Sequence, residues 1–305
     1  MRNIFTNTLI DIAKEDEKLV LLMAEVGYGV VEPFERLFPE RFYNTGISEQ
    51  NLVLVAAGLA IQGYHPVAYS MSSFLPTRAF EMIKDSIAYQ NLPVTLVGIG
   101  SGLSYGEMGT THHALEEEAL MSSLPNMTVM FPADAGQCKS TLRYALKSKG
   151  PTYIGLEKIN VKDESREIDD NPLSWKKIRE GSDGTILVCG TLKEEAMQAA
   201  EILNTKGINV GVYSVNAVKP FDYAAVEDAC ATSNLFVIDE HYSWGGFAAN
   251  LAKYILEQKK AIKNFVDFSF PDAHPDCIYH YNGLKKWAGF SVDNFVKVIE
   301  DKITN

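Results

Sequence analysis

Proton chemistry needs a titratable side chain held away from bulk water, and a few stretches of this chain offer one. Tyr43-Asn44-Thr45-Gly46-Ile47-Ser48-Glu49-Gln50-Asn51 reads as the end of a strand, a glycine turn and the first turn of a helix. That helix runs on through Leu52-Val53-Leu54-Val55-Ala56-Ala57-Gly58-Leu59-Ala60, so Glu49 stands at its N-terminus with mostly apolar residues behind it. The helix dipole favours the carboxylate there, and burial opposes it. A carboxylate under such opposed influences suits proton transfer. An acid that merely caps the first turn has the same local pattern. His112 and His113 add imidazoles whose ordinary pKa suits the same task, the plainer alternative being a solvated or structural loop histidine. Phe74 and Phe80 could wall a planar ligand, or be core residues as phenylalanine mostly is.

These residues need elements to position them. Leu19 to Glu25 is a continuous apolar run of strand length, the type buried on both faces of a parallel sheet. It leads, past Glu25, into the loop Gly27-Tyr28-Gly29. Further strands are read over 65–70 and 93–99, with a helix over 74–89 between them. The glycine-punctuated loop from Gly100 to His113 is long for a strand-to-helix connection, and long loops at that end of a parallel sheet usually serve a site. A helix over 115–123, a strand over 127–131, a helix over 133–147 and a strand over 151–156 complete this half. The alternation predicts an α/β fold with a mainly parallel sheet. Glu49, the phenylalanines and the histidines follow successive strands, so they should converge along the carboxyl edge.

Composition changes over 161–183, which is polar and broken. The expected organisation is a first domain over 1–165, a linker over 166–182 and a second α/β domain over 183–305. Strands of the second unit are read near 185–190, 209–215, 234–240 and 265–270, and helices near 193–206, 222–231 and 246–259. Its first strand is followed by Cys189-Gly190-Thr191-Leu192-Lys193, which lacks the glycine spacing of a dinucleotide-binding turn. Asp239-Glu240-His241 and Gly245-Gly246 follow another strand, where structural support is the expectation.

With 305 residues, 46% hydrophobic and 22% charged, the chain has the composition of a globular protein of two ordinary domains. A net charge of −11 without any basic run makes nucleic acid and anionic membrane poor partners. Cys138, Cys189, Cys230 and Cys277 are far apart, which suggests neither a zinc site nor a disulfide framework. No leader pattern opens the chain and no apolar run approaches membrane-spanning length, so a reducing cytoplasm is expected.

Several motifs in order carry a resemblance. They are Gly46-Ile47-Ser48-Glu49-Gln50-Asn51, Ser72-Ser73-Phe74-Leu75, Gly106-Glu107-Met108-Gly109-Thr110-Thr111-His112 and Leu124-Pro125-Asn126 through Asp134. Val218-Lys219-Pro220-Phe221-Asp222 and Asp239-Glu240-His241 with Gly245-Gly246 extend them. Together the chain resembles the transketolase family of thiamine diphosphate enzymes, as that family's pyrimidine-binding domain followed by its C-terminal domain. The resemblance implies that Glu49 hydrogen-bonds the aminopyrimidine ring and drives the imino tautomer that deprotonates the thiazolium. An acid doing this must exchange a proton with a ring nitrogen out of bulk water. It further implies that Phe74 stacks on the pyrimidine, with Phe80 further along the same wall and Glu25 also on the cofactor side. His112 would contact the reacting substrate. Arg2 and Lys158 would hold an acceptor's phosphate, or else be solvated surface charges. The implied reaction is transfer of a two-carbon ketol unit from a ketose to an aldose.

Two departures from the family pattern matter. Sugar-using members carry Asp where this chain has Met108, and a thioether cannot replace two carboxylate oxygens. The strand end before that loop is Gly98-Ile99-Gly100-Ser101, without the usual histidine. A modified ketose is therefore a possible donor, with Met108 lining the substrate side. The family's Gly-Asp-Gly motif, which holds the diphosphate and Mg²⁺, does not occur here, and Met1 stands near where the pyrimidine-binding domain would start. The expectation is a C-terminal subunit of a split enzyme, with no metal ligand in this chain, partnered in an α2β2 assembly by an N-terminal subunit that carries the Gly-Asp-Gly motif and holds the diphosphate and Mg²⁺. Alternatives are a 2-oxoacid dehydrogenase E1 β subunit, a deoxyxylulose phosphate synthase-like enzyme using pyruvate, and a non-catalytic regulatory subunit.

Overall fold

Leu19 to Met23 is apolar at every position, so it needs cover on both faces. In the computed structural model, which describes residues 1–159 and 171–305, all five residues are buried in a strand. This is β1 (Leu19–Met23), followed by β2 (Phe42–Asn44), β3 (His65–Met71), β4 (Thr95–Ile99), β5 (Thr128–Met130) and β6 (Thr152–Leu156). The second half contributes β7 (Lys176–Arg179), β8 (Gly184–Cys189), β9 (Val210–Val215), β10 (Ala217–Lys219), β11 (Asn234–Tyr242) and β12 (Asn264–Phe270). They form one sheet in the order β10-β5-β6-β4-β3-β1-β2 and a second in the order β12-β11-β8-β9-β7. Pairings within each sheet are parallel except β10 on β5 and β7 on β9. The expected α/β fold, two tandem domains with mainly parallel sheets, is what the chain adopts.

Helices Arg2–Glu15 and Ala135–Lys147 cover one face of the first sheet, over a core that includes Phe5, Leu9, Leu21, Phe34 and Leu142. The other face shares its core with the second domain: Leu22, Leu52 and Leu96 belong to the same cluster as Leu187, Val237 and Phe247. The second half also lends a strand to the first sheet, since β10 pairs with β5 at Ala217↔Met130. Trp175 fastens that strand. Its indole is 5% exposed and donates to Ala217 O at 2.8 Å.

Three local expectations differ in the structure. The single helix read over 74–89 is two short helical pieces, Leu75–Arg78 and Phe80–Met82, then a wide-turn segment Ile83–Ala88. Wide turns of this kind concentrate near sites. Part of the stretch read as linker is structured: Lys176–Arg179 is an edge strand whose outer residues are exposed, and a solvated edge carries polar residues that resemble a connection. Residues 160–170, where the rest of that composition change and the first domain boundary lie, are outside the described residues. The C-terminal helices Tyr281–Trp287 and Val292–Thr304 were not anticipated. No helix among the described residues is long and apolar enough to cross a membrane.

Candidate functional site

The carboxyl ends of β2, β3 and β4 each hand the chain to one of the reactive stretches. After β2, Asn44 Oδ1 accepts the Gly46 N–H at 2.9 Å, and Gly46 takes φ +72°, a left-handed turn that glycine adopts without a Cβ clash. This turn delivers Glu49 as the first residue of the helix Glu49–Ile61. Glu49 is 4% exposed, which removes it from bulk water. Its carboxylate does not serve its own helix end: it accepts from Arg78 Nη1, at 3.2 Å to Oε2 and 3.4 Å to Oε1.

Arg78 closes the short helix after β3, and its guanidinium lies 3.8 Å over the Phe74 ring. Planar stacking of arginine on an aromatic face is a preferred arrangement. Phe74 in turn meets His112, with ring centroids 5.3 Å apart. The His112 ring is held by Thr111, whose hydroxyl is 2.9 Å from Nδ1. Glu49, Phe74 and His112, predicted from three separate loops, are thus joined into one group through Arg78. Arg78 was missed, although its spacing four residues beyond Phe74 places both on one helical face. Phe80 is not brought to this group; it packs against the core shared by the two domains.

Glu25 acts one step back. Its backbone is left-handed at φ +49°, unusual for a non-glycine residue. Its carboxylate accepts from the Tyr28 hydroxyl and from Asn44 Nδ2 at 2.6 Å. Those hydrogen bonds, Tyr28 first, hold it below the ordinary glutamate range. Glu25 therefore orients Asn44, which orients the Gly46 turn before Glu49.

The two basic candidates, Arg2 and Lys158, stand elsewhere. The N-terminal amine donates to Ile159 O at 2.6 Å, which ties the start of the chain to the residue after Lys158. Lys158 Nζ lies 4.5 Å over the Tyr105 ring and 3.9 Å from Glu107 Oε1. Met108 follows in the same loop and is 45% exposed.

A second polar group lies on the seam between the domains. Helix Glu117–Ser122 supplies Glu117 and Glu118, and β11 supplies Asp239, Glu240 and His241, all buried. The Glu117 carboxylate accepts from Ser101 Oγ at 2.5 Å and from the Tyr153 hydroxyl, and its Oε1 lies 3.1 Å from His241 Nε2. His241 Nδ1 lies 2.8 Å from Asp239 Oδ1. Burial pushes Glu118 up to about 8, and Glu240 likewise to about 8. Burial works against the charged form of His241, but Asp239 first and then Glu117 and Glu118 raise its pKa well above the ordinary value. Glu116-Glu117-Glu118 is an acidic run within the helix read over 115–123, and only Glu116 of the three is exposed.

A family profile described as "Transketolase, pyrimidine binding domain" matches residues 1–164, and one described as "Transketolase, C-terminal domain" matches residues 173–294. The chain is 34% identical to a putative transketolase C-terminal section of Methanocaldococcus jannaschii, covering 93% of this chain and 92% of that one. It is 28% identical to one of the subunits of the apulose-4-phosphate transketolase of Phocaeicola vulgatus, covering 96% and 93%. A 1-deoxy-D-xylulose-5-phosphate synthase of Geobacter metallireducens is 34% identical over 89% of this chain, which spans 44% of that longer protein. Among solved structures, a split-gene transketolase described as an inactive β4 tetramer superposes with a TM-score of 0.90 at 31% identity, over 99% of this chain and 98% of that one.

Proposed function

Because this chain belongs to the transketolase family, we propose that it is the C-terminal subunit of a two-chain, thiamine diphosphate-dependent enzyme that transfers a ketol unit between sugars. The observation that carries this reading is Glu49: an acid 4% exposed at a helix start, joined through Arg78 to Phe74 and His112. The residues present suit the pyrimidine end of the cofactor. A buried carboxylate with spare acceptor capacity is joined through Arg78 to the Phe74 ring, and the hydroxyl of Ser73, next to Phe74 in the chain, is buried without a hydrogen-bond partner.

When bound, thiamine diphosphate supplies a nucleophilic carbon and an electron sink for breaking and making a bond beside a carbonyl. This chain's share is positional and protonic. Glu49 holds and exchanges a proton at a pyrimidine ring nitrogen, and its exclusion from water keeps that exchange directed. Phe74 fixes the ring plane, while His112, against Phe74, faces the substrate. Arg2 and Lys158 offer two positive charges for a sugar phosphate.

Diphosphate and Mg²⁺ are assigned to a partner chain. The helix opened by Glu49 supports that assignment: its outward side exposes Leu54 (47%) and Ile61 (59%), and Ile47 just before it is 77% exposed. Apolar residues clustered beside a half-built site suit a protein partner. The names of the split relatives support a two-chain enzyme as well. A cytoplasmic location belongs to the same proposal.

The test is reconstitution with a partner encoded beside this chain. Glu49→Gln is expected to lower ketol transfer at least about 100-fold, within the range of general acid–base effects. Unchanged activity would refute the reading. Donors to compare are xylulose 5-phosphate, apulose 4-phosphate and pyruvate. Preference for pyruvate would favour the alternative that the synthase relatives support. Full activity on xylulose 5-phosphate would remove the role given to Met108.

A further inference from the structure

The seam group gathers more carboxylate oxygens than its own side chains partner. Among the described residues, the ion pairs of Glu117, Glu118 and Asp239 are all to His241. Three carboxylates gather round one imidazole in a buried place, where an unpaired polar or charged group is costly. Glu118 is 0% exposed; its Oε2 meets only His241 Nδ1, at 3.3 Å and outside hydrogen-bond geometry, and its Oε1 has no donor. Asp239 Oδ2, on a residue 1% exposed, is unpartnered too. A buried carboxylate oxygen without a donor marks a missing ligand or proton.

The geometry favours the former. Ligand atoms of Glu118, Asp239 and His241 all lie within 4.8 Å of one another. His241 Nδ1 is 2.8 Å from Asp239 Oδ1 and 3.3 Å from Glu118 Oε2. Ligands bound at about 2.0–2.2 Å to one ion stand roughly 3 Å apart, the edge of a coordination polyhedron. The imidazole is turned as a metal ligand requires. Its far nitrogen, Nε2, faces Glu117 at 3.1 Å, and Glu117 is itself fixed by Ser101 and Tyr153. A carboxylate behind a ligating histidine is the usual second partner in such sites. Beside Asp239 and His241 a cavity of about 10 Å³, with Ser101, Glu157 and Cys189 in its wall, has room for one water as a further ligand.

We propose that Glu118, Asp239 and His241 bind a divalent transition-metal ion, of the zinc class, on the seam between the two domains. One imidazole with two carboxylates suits such an ion better than Ca²⁺ or Mg²⁺, which take mainly oxygen. Glu118 comes from the first domain and the other two from the second, so the ion clamps the domains together. This site is separate from the cofactor position of Glu49, and the chain carries it without a partner.

The test uses the full chain alone, stripped by chelator and titrated with Zn²⁺. The expected result is one Zn²⁺ per chain by elemental analysis, submicromolar affinity, a rise in melting temperature, and visible bands when Co²⁺ replaces Zn²⁺. Glu118→Gln and Asp239→Asn should each weaken binding about 10-fold or more. A folded, stripped wild-type chain that takes up no Zn²⁺ at micromolar concentration overturns the proposal, as does full-affinity binding by either variant. Should a variant fail to fold, the wild-type titration and the Co²⁺ spectrum decide alone.

Discussion

Arg78 is the residue on which the Glu49 group hangs, because it is the only hydrogen-bond partner of the Glu49 carboxylate among the described residues. Its head is about half exposed while Glu49 is buried, so the pair is worth less than a fully buried one. What matters more is the group left behind. Arg78→Ala should leave the Glu49 carboxylate buried without a donor, at a cost of about 1–2 kcal/mol and a fall of a few degrees in melting temperature. Arg78→Lys keeps the charge but not the flat contact on Phe74, and should recover only part of that loss. Equal melting of all three proteins would remove Arg78 from this role. Much of this group was legible in the residues themselves: Glu49 from its place at a helix start, Phe74 and His112 from the loops that follow strands. Phe80 was not, because a phenylalanine on a short helix is read the same way whether it faces a ligand or the core.

At the level of elements, glycines mark where the loops after β2 and β4 must bend, and they differ in what surrounds them. Gly46 has open space where a Cβ would stand, whereas a Cβ on Gly102 would lie 2.6 Å from Glu240 Oε2. Gly46→Ala therefore adds only left-handed strain, about 1 kcal/mol. Gly102→Ala adds strain at φ +58° and a clash inside the seam, and should cost about 2–4 kcal/mol. Thermal unfolding of both variants checks the order; an equal loss would mean that the seam yields to the extra methyl group. The long loop from Gly100 to His113 was readable as a site loop. That its first residues turn into the second domain was not, since the bond from Leu103 N–H to Glu240 Oε2 spans 137 residues of chain.

At the level of the molecule, the domains are tied by Asp134, which caps the helix Ala135–Lys147 and pairs with Lys193 of the second domain. Burial would raise its pKa, but the Gln137 N–H and Lys193 outweigh this and hold it below the ordinary value. A depressed carboxyl contributes stability above its unfolded pKa, about 3.9, and loses it as pH falls through the folded value. Stability should therefore drop below about pH 4, and Asp134→Asn should flatten that limb. An unchanged acid limb in the variant would assign it to other acids. The exposed side of the helix Glu49–Ile61 gives a second prediction: Leu54→Glu, at a position already 47% exposed, should leave the isolated chain folded while weakening partner binding at least about 10-fold. Undiminished binding would move the partner to another face.

Local pattern along the chain was enough for the alternation of strands and helices, the turn that presents Glu49, and the family to which these motifs belong. Those features are set by side-chain periodicity and by which residues tolerate a turn. Folding in three dimensions was needed to bring Arg78 to Glu49, to carry β10 into the first sheet, and to bury an acidic run against His241. His241 and Glu117 are 124 residues apart, and no local preference records such a meeting. It arises because the apolar faces of the two domains share one core and carry their polar seam inside with them.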